Sequence, residues 1–596
     1  MLQELIYDNP GQMDNYSHMR YWDMNAKLTH RLTDKDRLSA MFYMGRDVNN
    51  ATPNETVQHF KYSTKNEMGT EKNSIIDNAS LKRTLNSWNN LLGGLHYNHE
   101  FSPSLRLDAG VNYSGYDYKL DYVSSNRNQI GIDLWDHGAE AAELYYLRTT
   151  ENSTVYRSNV HDLEAKADLN YLVSDRHDIH GGIQVGSVKI NPELGGSYYS
   201  YLKRAKDEEM VAQIGMGEER YIETEVTRSN LMSDDRRINI LAAYAEDDWN
   251  ISGWLKANVG IRLQGYATGY NTKLAVEPRA SLRLLLGSSS SLKASYTRMS
   301  QSMFLLSSSS LTAPSDVWVA MGSDMDLGIA DQLSIGLNHE FRNGFQLSVE
   351  GYYKWLDGVL DYSEGSTYLS MNDWSELIVQ GKGRAYGVEL LAQKNIGNTT
   401  GQVSYTWSKS LRTFDRPGME LNSGKEFFAP SDRRHNFSIS ITQRLSKNWD
   451  LSATWTYQSG RRTNFATTTI TGSVLDEFNN YLVKGSTSDA TYEQNPAYEA
   501  RVSDYYQTTS IRHLLRSNTY RQRNGFVLPA VHRLDVSLSH HGSIGIGEMI
   551  CDISIYNLYN QQNISTVYWG YENNRRALKG VCMFPIMPSI SLTLKL

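Results

Sequence analysis

His435 is the histidine whose neighbours in sequence best suit acid–base chemistry. It follows Asp432, Arg433 and Arg434 in the segment SDRRHN. A carboxylate near an imidazole could orient the ring as a general base. Such catalysis also needs a positioned nucleophile, and the pattern positions none here. We therefore interpret His435 and its neighbours as a polar cluster at the outer rim of a strand.

His540 and His541 are the second possibility, because imidazole is a common metal ligand. Adjacent residues of a strand point to opposite faces, so this pair predicts a solvent role near a turn rather than a metal site. Cys551 and Cys582 are the only cysteines, too few for a thiolate zinc site. The chain has no Gly-x-Ser-x-Gly, His-Glu-x-x-His or phosphate-binding glycine-rich motif. We expect no enzyme, no metal and no cofactor.

The elements that carry these residues alternate between apolar and polar side chains. In the stretch 431–463, apolar residues occupy every second position from Phe437 to Ile441 and again from Trp449 to Tyr457, with a polar turn at 445–448 between them. A period of two predicts β-strands, here joined as a hairpin. Each strand is about ten residues long, with aromatic residues crowded toward the ends of its apolar row, which is typical of a transmembrane β-barrel wall.

Composition favours a barrel over a helical membrane protein. The 596 residues include 39 Tyr against 14 Phe, an excess expected where amphipathic rings lie at two membrane interfaces. Mean hydropathy is −0.52, and no apolar run approaches the length that a membrane helix needs. The net charge of −7 gives no reason to expect a nucleic-acid partner. A soluble propeller or β-helix is the alternative, but loop lengths vary several-fold and no blade motif repeats.

The hairpin pattern recurs along the chain and predicts an all-β fold. We expect a transmembrane antiparallel β-barrel with about 19 of an expected 22 strands. Short turns, taken as periplasmic, alternate strictly with long extracellular loops such as 303–330 and 462–528. Residues 1–18 are expected to form a leading extracellular loop segment and residues 19–596 the barrel domain.

The strand count suggests that part of the barrel lies outside these residues. The first strand runs inward, toward the periplasm, and the last strand also ends in the periplasm. An even-stranded barrel therefore needs an odd number of further strands, about three. The N-terminus also lacks the basic and apolar regions of a secretory signal. We expect the chain to be a fragment or to start downstream of its true beginning.

Short motifs along nearly the whole chain resemble those of TonB-dependent outer-membrane receptors of the Bacteroidetes type. Each motif is weak alone, and their shared order carries the resemblance. They are YAEDDW at 244–249, EPR at 277–279, GRAYGVE at 383–389, DRRHN at 432–436, QSGR at 458–461, LPAVHRLD at 528–535 and IYNLYN at 555–560.

The resemblance implies a barrel that imports a scarce, bulky ligand such as a siderophore, glycan or peptide. Receptors of this family lie in the outer membrane, in contact with its lipid, and are closed by an N-terminal plug through which TonB relays energy. No counterpart of the plug is found in this sequence, so the TonB system is expected to act only through a plug not present in this chain. The alternatives are a passive porin-like or structural barrel, a non-functional remnant of a split receptor gene, and an outer-membrane enzyme.

Two groups of residues are candidates for contacts in such a receptor. Large aromatics away from the strand rows could stack on a ligand, although loop packing is the simpler interpretation of any single one: Trp135, Tyr145, Tyr146, Trp318, Trp374, Phe427 and Phe428. Charged residues on the polar rows are expected to face the lumen, where either water or a plug could surround them: Arg262, Arg279, Arg283, Glu350, Glu389, Arg533 and Asp535.

Overall fold

The structure is a computed structural model. It describes residues 16–52, 56–65, 71–133, 142–205, 221–233, 235–269, 271–306, 317–322, 325–363, 378–465, 468–471, 516–519, 522–545, 547–572, 575–582 and 584–595. These residues form antiparallel β-strands joined by turns and loops, with a single 3-10 turn at Asn422–Gly424.

Nineteen strands follow one another in a single antiparallel sheet that forms the wall. Strands are numbered in chain order as β1 to β30. The wall strands are β1 (Tyr16–Arg31), β2 (Asp36–Thr52), β4 (Glu71–Ser102), β5 (Leu105–Asp133), β6 (Ala142–Ser174), β7 (His177–Ala205), β9 (Arg236–Ser252), β10 (Leu255–Ala267), β11 (Thr272–Leu285), β12 (Ser290–Gln301), β15 (Gly328–Glu340), β16 (Phe345–Tyr362), β17 (Ile378–Lys394), β18 (Thr399–Thr413), β20 (His435–Arg444), β21 (Trp449–Gln458), β26 (Val531–Ile544), β27 (Gly547–Tyr556) and β30 (Met587–Lys595).

The other eleven strands extend the ends of wall strands or pair within connections. Three of them join the main sheet and bring it to 22 strands: β3 (Thr56–Lys65), β8 (Tyr221–Ser233) and β19 (Phe427–Phe428). The remaining eight form two-stranded sheets: β13 (Met303–Leu306) with β14 (Val317–Ala320), β22 (Arg462–Thr463) with β25 (Phe526–Val527), β23 (Thr468–Thr471) with β24 (Arg516–Thr519), and β28 (Ile564–Glu572) with β29 (Arg575–Cys582).

The register confirms the alternation expected from the sequence. Ile441 of β20 stands opposite Ala453 of β21, while the next pair along is Ser440 opposite Thr454. Apolar residues on one face are widely exposed, as Leu241 shows with 64% of its surface accessible, whereas Ala242 beside it retains 1%. We call these the apolar face and the polar face. An exposed apolar face and a polar opposite face are what a barrel wall in lipid requires.

The wall strands are joined at one end by tight connections, and we call this the turn end. The connection of β15 to β16 shows why the sequence turns there, since Gly344 after Asn343 adopts a positive φ of 73° and its N–H donates to Phe341 O at 3.0 Å. Asn-Gly is favoured where a hairpin demands such backbone angles. The nine tight connections are 32–35, 103–104, 175–176, 253–254, 286–289, 341–344, 395–398, 445–448 and 545–546.

The opposite end, the loop end, differs from the expectation in two ways. Much of the sequence expected to be loop continues the wall, and β6 alone runs for 33 residues. Beyond the membrane such strands meet water on both faces, so their sequence loses the apolar alternation that marks the wall. The strict alternation of short turns with long loops is also wrong at one place, because only residues 268–271 join β10 to β11.

The sheet has two edges in the part of the chain that the structure describes. β1 pairs only with β2, and β30 only with β27. β1 ends at the tight connection 32–35, and β30 is antiparallel to β27, which starts from the turn end. Both edge strands therefore run from the loop end to the turn end. Two parallel edges cannot pair within an antiparallel barrel without an odd number of strands between them.

Among the residues that the structure describes, no helix is long and apolar enough to cross a membrane.

Candidate functional site

The connection between β12 and β15 folds back onto the polar face of the wall. β13 and β14 pair there as a hairpin, which we call the mouth hairpin (residues 303–306 and 317–320). Phe304, Leu306 and Val319 of this hairpin retain 5%, 2% and 2% of their surface. The mouth hairpin therefore forms a small core together with the wall.

The wall residues around the mouth hairpin come from distant strands. One cluster joins it to Tyr118 of β5 and Tyr156 of β6 on one side and to Leu360 of β16 and Ile378 of β17 on the other. Burial in this cluster raises the pKa of Tyr118, in the loop-end extension of β5, to about 12. The hairpin therefore bridges two parts of the wall that are seven to nine wall strands apart.

A second cluster fixes the end of the mouth hairpin and the chain that follows it. Ala320 and Met321 pack with Ile190 of β7, Ile238 of β9 and Tyr266 of β10. Ile190, Ile238 and Met321 are completely inaccessible to solvent. Full burial of side chains of this size contributes about 1.5–3 kcal/mol each, so the hairpin is held by packing.

Buried polar groups hold both ends of the same connection. The Gln380 amide of β17 donates to Asp326 O at 2.7 Å and accepts from Asp326 N at 3.0 Å. At the other end, the Glu277 carboxylate accepts Ser300 N–H at 2.9 Å, and the Tyr266 hydroxyl donates to Ser300 O at 3.1 Å. Glu277 and Gln380 retain 5% and 4% of their surface. Because buried polar groups are costly without partners, these bonds specify where the connection lies.

The second buried network joins β16 and β18 to the connection before β26. The Arg523 guanidinium donates to Asp361 Oδ1 at 2.8 Å, and Arg412 approaches Asp361 Oδ2 at 3.4 Å. The side chains of Arg523 and Asp361 are only 7% and 9% exposed. Asn524 next to Arg523 donates to Phe428 O at 2.9 Å. Residues far apart in the chain thus meet at the loop end above β16–β18.

The three candidate aromatics whose side chains the structure describes lie in different surroundings. Phe427 is completely buried and stacks on Phe414 at 5.9 Å, so in this structure it is a packing residue. Trp318 is half-buried against the second cluster of the mouth hairpin. Three cationic side chains lie over the Phe428 ring, and the Arg462 guanidinium is the nearest, 3.4 Å from the ring centroid. Trp135, Trp374 and the side chains of Tyr145 and Tyr146 lie outside the described residues.

The candidate charges all lie on the polar face by register. Four of them are satisfied within the wall: Arg262 approaches Glu277 at 4.0 Å, Arg279 approaches Glu246 at 3.8 Å, and Arg533 and Asp535 pair with each other at 2.9 Å. Glu350 and Glu389 stand directly opposite each other on β16 and β17. Along the same cross-strand row follow Gly336, Lys293, Arg283 and Lys256. No ion pair involves the five charged residues of this row in the described part of the chain.

The histidines do not form the arrangements that their sequence positions allowed. His435 Nδ1 meets the Tyr405 hydroxyl at 2.9 Å, whereas the Asp432 carboxylate binds Arg462 at 2.8 Å. His540 packs on Trp449 at 4.6 Å, and His541 turns to the other face and meets Asp450 at 3.1 Å. Within the described residues, no group of three or more His, Cys, Asp or Glu could hold a metal ion.

Sequence reasoning missed the residues that build the loop end, above all Asp361, Gln380 and Arg523. Each makes at least one of its hydrogen bonds with a residue more than fifty positions away. The one local signal was the apolar group Met303, Phe304, Leu305 and Leu306, a short continuous run inside a segment expected to be loop. A run of that kind indicates a buried strand.

Comparison with known proteins gives the family. A model described as TonB dependent receptor-like, beta-barrel matches residues 21–483. No curated protein matches the chain. Solved structures that align with it include the ferric preacinetobactin receptor BauA and the siderophore receptor PiuA, both from Acinetobacter baumannii, and the FrpB iron transporter from Neisseria meningitidis.

These structures are distant in sequence. BauA is 10% identical, with 97% of this chain and 79% of BauA covered at a TM-score of 0.46. PiuA is 11% identical, with 97% and 80% covered at 0.49, and FrpB is 11% identical, with 100% and 83% covered at 0.43. The family match covers more than three quarters of the 596 residues. The chain therefore belongs to the TonB dependent receptor-like β-barrel family.

Proposed function

We propose that this chain forms the barrel wall of an outer-membrane receptor, of the Bacteroidetes type, that takes up a scarce ligand with energy supplied through TonB. The observation that carries the proposal is a nineteen-strand wall with an apolar outer face and a charged inner face, in a chain of this family. A barrel of about 22 strands encloses a lumen wide enough for a bulky ligand and needs a plug. The ligand is a siderophore, glycan, peptide or similar molecule.

The free edges define what the wall needs for closure. Because β1 and β30 run in the same direction, three further strands would complete an even-stranded antiparallel barrel. We propose that a polypeptide segment outside these 596 residues supplies these strands and the plug. Residues 19–596 then form the barrel domain, with residues 1–18 leading into it on the extracellular side.

The cross-strand row on the polar face suits contact with a plug. Glu350 and Glu389 are like charges facing each other, an arrangement that destabilises an isolated sheet. A plug that offers cations to this pair, and anions to Lys293 and Arg283, would remove the repulsion. This charge pattern supports the assignment of these lumen residues to plug binding.

Uptake in cells tests the proposed function. A receptor strain should lose accumulation of its ligand when TonB is deleted or when a protonophore collapses the proton gradient, because both remove the energy source. Accumulation that survives both treatments would favour the passive porin-like alternative. Membrane fractionation of the same cells should recover the protein with the outer membrane.

A further inference from the structure

A groove of about 400 Å³ crosses the apolar face near the turn end, over the neighbouring strands β2, β4, β5, β6 and β7. Three alanines line it on β5 and β6, whereas larger side chains line it on β2, β4 and β7. The alanines are Ala109, Ala165 and Ala167, and the larger residues are Leu38, Leu95, Tyr97, Ile183 and Val185. We call this the outer groove.

The outer groove follows a cross-strand row of the wall. In this row Leu38, Tyr97, Ala109, Ala167 and Ile183 stand opposite one another in turn. Neighbouring strands lie about 4.8 Å apart, so a row across five strands spans about 19 Å. Half the hydrocarbon core of a bilayer is about 15 Å thick. The groove is therefore long enough to hold one acyl chain of a lipid.

A carboxylate lies beside the β2 end of this row, one step closer to the turn end. Asp36 precedes Leu38 by two residues on the same face and stands opposite His99. The hydroxyl of Tyr97, whose side chain also lines the groove, donates to Asp36 Oδ1 at 2.6 Å. His99 Nδ1 meets the same oxygen at 2.6 Å, and the Thr33 hydroxyl donates to Oδ2. Tyr97 thus joins the groove and the carboxylate into one site.

The Asp36 carboxylate still offers an acceptor position to a ligand. Within the residues that the structure describes, no lysine or arginine pairs with it. Its Oδ1 accepts from two groups, but its Oδ2 accepts from Thr33 alone. Because a carboxylate oxygen has two lone pairs, Oδ2 keeps one of them for a further donor. The complementary ligand is a cation that can donate a hydrogen bond.

Aromatic residues place Asp36 at the depth of lipid headgroups. His99 packs on Phe101 with ring centroids 4.4 Å apart, within five residues of a tight connection. Amphipathic and aromatic rings gather where a barrel wall leaves the hydrocarbon core. Three further histidines of the apolar face pack on aromatic rings at the same level: His177 on Trp249, His339 on Phe341 and His540 on Trp449.

We propose that the outer groove and Asp36 together bind a phospholipid whose headgroup ends in a primary ammonium. The ammonium donates to Asp36 Oδ2, and one acyl chain lies along the groove on Ala109 and Ala167. A quaternary ammonium has no N–H to donate, and a glycerol headgroup has no positive charge, so lipids with those headgroups bind less tightly. The site lies on the outside of the wall and goes beyond the proposed receptor function, because it requires only that the wall spans a bilayer.

The test measures which lipids the full chain retains. Native mass spectrometry at pH 8 follows its release from micelles that contain equal amounts of phosphatidylethanolamine, phosphatidylcholine and phosphatidylglycerol. The wild type should retain phosphatidylethanolamine about tenfold better than the other two, which corresponds to one hydrogen bond between charged groups. Asp36→Asn should remove this preference. Ala167→Leu should reduce the retention of all three lipids, because the larger side chain fills the groove.

Two matched controls make the same changes outside the site. Asp34→Asn removes an exposed carboxylate of the same turn, one that approaches Arg31 at 3.8 Å. Ala280→Leu enlarges an alanine of the apolar face on β11. Both should retain lipids as the wild type does, and a change of gel mobility on boiling shows that each variant is folded.

Three results would overturn the proposal: equal retention of the three lipids by the wild type, a preserved preference in Asp36→Asn, or equal losses in Ala167→Leu and Ala280→Leu. If Asp36→Asn does not fold, the selectivity of the wild type and the two leucine variants decide. Ligand uptake that proves independent of TonB would reject the receptor function and leave the lipid site standing.

Discussion

At the scale of single residues, the alternation along a strand decides what each position tolerates. Ala453 shares the apolar face with Ile441, which is 42% exposed toward the surroundings of the wall. Thr454, one position on, is hydrogen-bonded to Ser440 at 2.9 Å and stands opposite Asp535. Neighbours in sequence therefore face media of different dielectric.

This difference predicts the effect of placing a charge at each position. Ala453→Arg should lower the free energy of unfolding by roughly 2–4 kcal/mol, because the guanidinium would enter lipid, whereas Thr454→Arg should cost much less and can pair with Asp535. Urea unfolding in bilayers, followed by tryptophan fluorescence, measures both. Equal losses would mean that the strand register is wrong.

The stability of the folded protein should depend on pH through Asp36, which lies at the turn between β1 and β2. Hydrogen bonds from Thr33, then from Tyr97 and His99, hold the pKa of its carboxyl well below its usual range. A depressed pKa in the folded state means that the stabilisation is complete above the unfolded pKa, about 3.9, and is lost as pH falls toward the folded one.

The measurement for Asp36 is the thermal midpoint between pH 6 and pH 2. The wild type should lose stability below about pH 4, and Asp36→Asn should show a shallower decline over that interval because the titrating group is gone. Parallel curves for the two proteins would show that other carboxylates dominate the acid sensitivity. Thr33→Ala should fall between them, since it removes the first of the three hydrogen bonds.

At the scale of elements, the mouth hairpin behaves as a structured part of the wall rather than as a surface loop. It is held by two buried clusters and by the Gln380 and Glu277 hydrogen bonds at its ends. The alternation of exposure inside it is as regular as in a wall strand, since Phe304 is buried while Leu305 is 46% exposed. Burial on one face indicates that this hairpin keeps a single position.

Alanine substitutions at Phe304 and Leu305 test whether the mouth hairpin is held by packing against the wall. Phe304→Ala should cost about 3–5 kcal/mol of local or global stability, because the ring leaves a cavity between the hairpin and the wall. Leu305→Ala should cost far less, since its side chain is already half in solvent. Hydrogen exchange across residues 303–320 reports the local effect, and similar protection in both variants would argue against a packed hairpin.

At the scale of the whole molecule, the apolar face and the two sheet edges govern behaviour. Exposed leucines, isoleucines and valines cover one face of the wall strands, as Leu28 with 71% and Ile590 with 75% exposure illustrate on the two edge strands. The protein should therefore enter outer membranes or detergent micelles, and its gel mobility should change on boiling, as stable barrels show. Recovery as a soluble monomer without detergent would contradict the barrel.

Conduction measures how far the chain closes its own lumen. A barrel of about 22 strands that holds no plug should give large, poorly selective conductance in planar bilayers, and our proposal expects this behaviour of the chain when it is reconstituted alone. The mouth hairpin reduces this opening, so deleting residues 303–320 should raise the conductance further. Addition of a plug-containing fragment of the same protein should lower it. A wild-type chain that is tightly closed, with the deletion making no difference, would show that other loops close the lumen.

The sequence by itself determined the wall. Alternation of apolar and polar residues is set by backbone geometry within a strand, so nineteen strands, their faces and their tight turns could be predicted from neighbouring residues alone. The same local rule placed Arg262 and Glu350 on the polar face. It also fixed the direction of both edge strands, and hence the need for an odd number of strands between them.

Only the tertiary structure decided what happens at the loop end. The mouth hairpin folds inward because wall strands seven to nine positions apart present apolar residues to it, and no window of sequence contains both sides. Asp361 binds Arg523 across 162 positions of chain, so neither residue marks the other in the sequence. Such long-range pairings depend on barrel curvature and packing rather than on local periodicity.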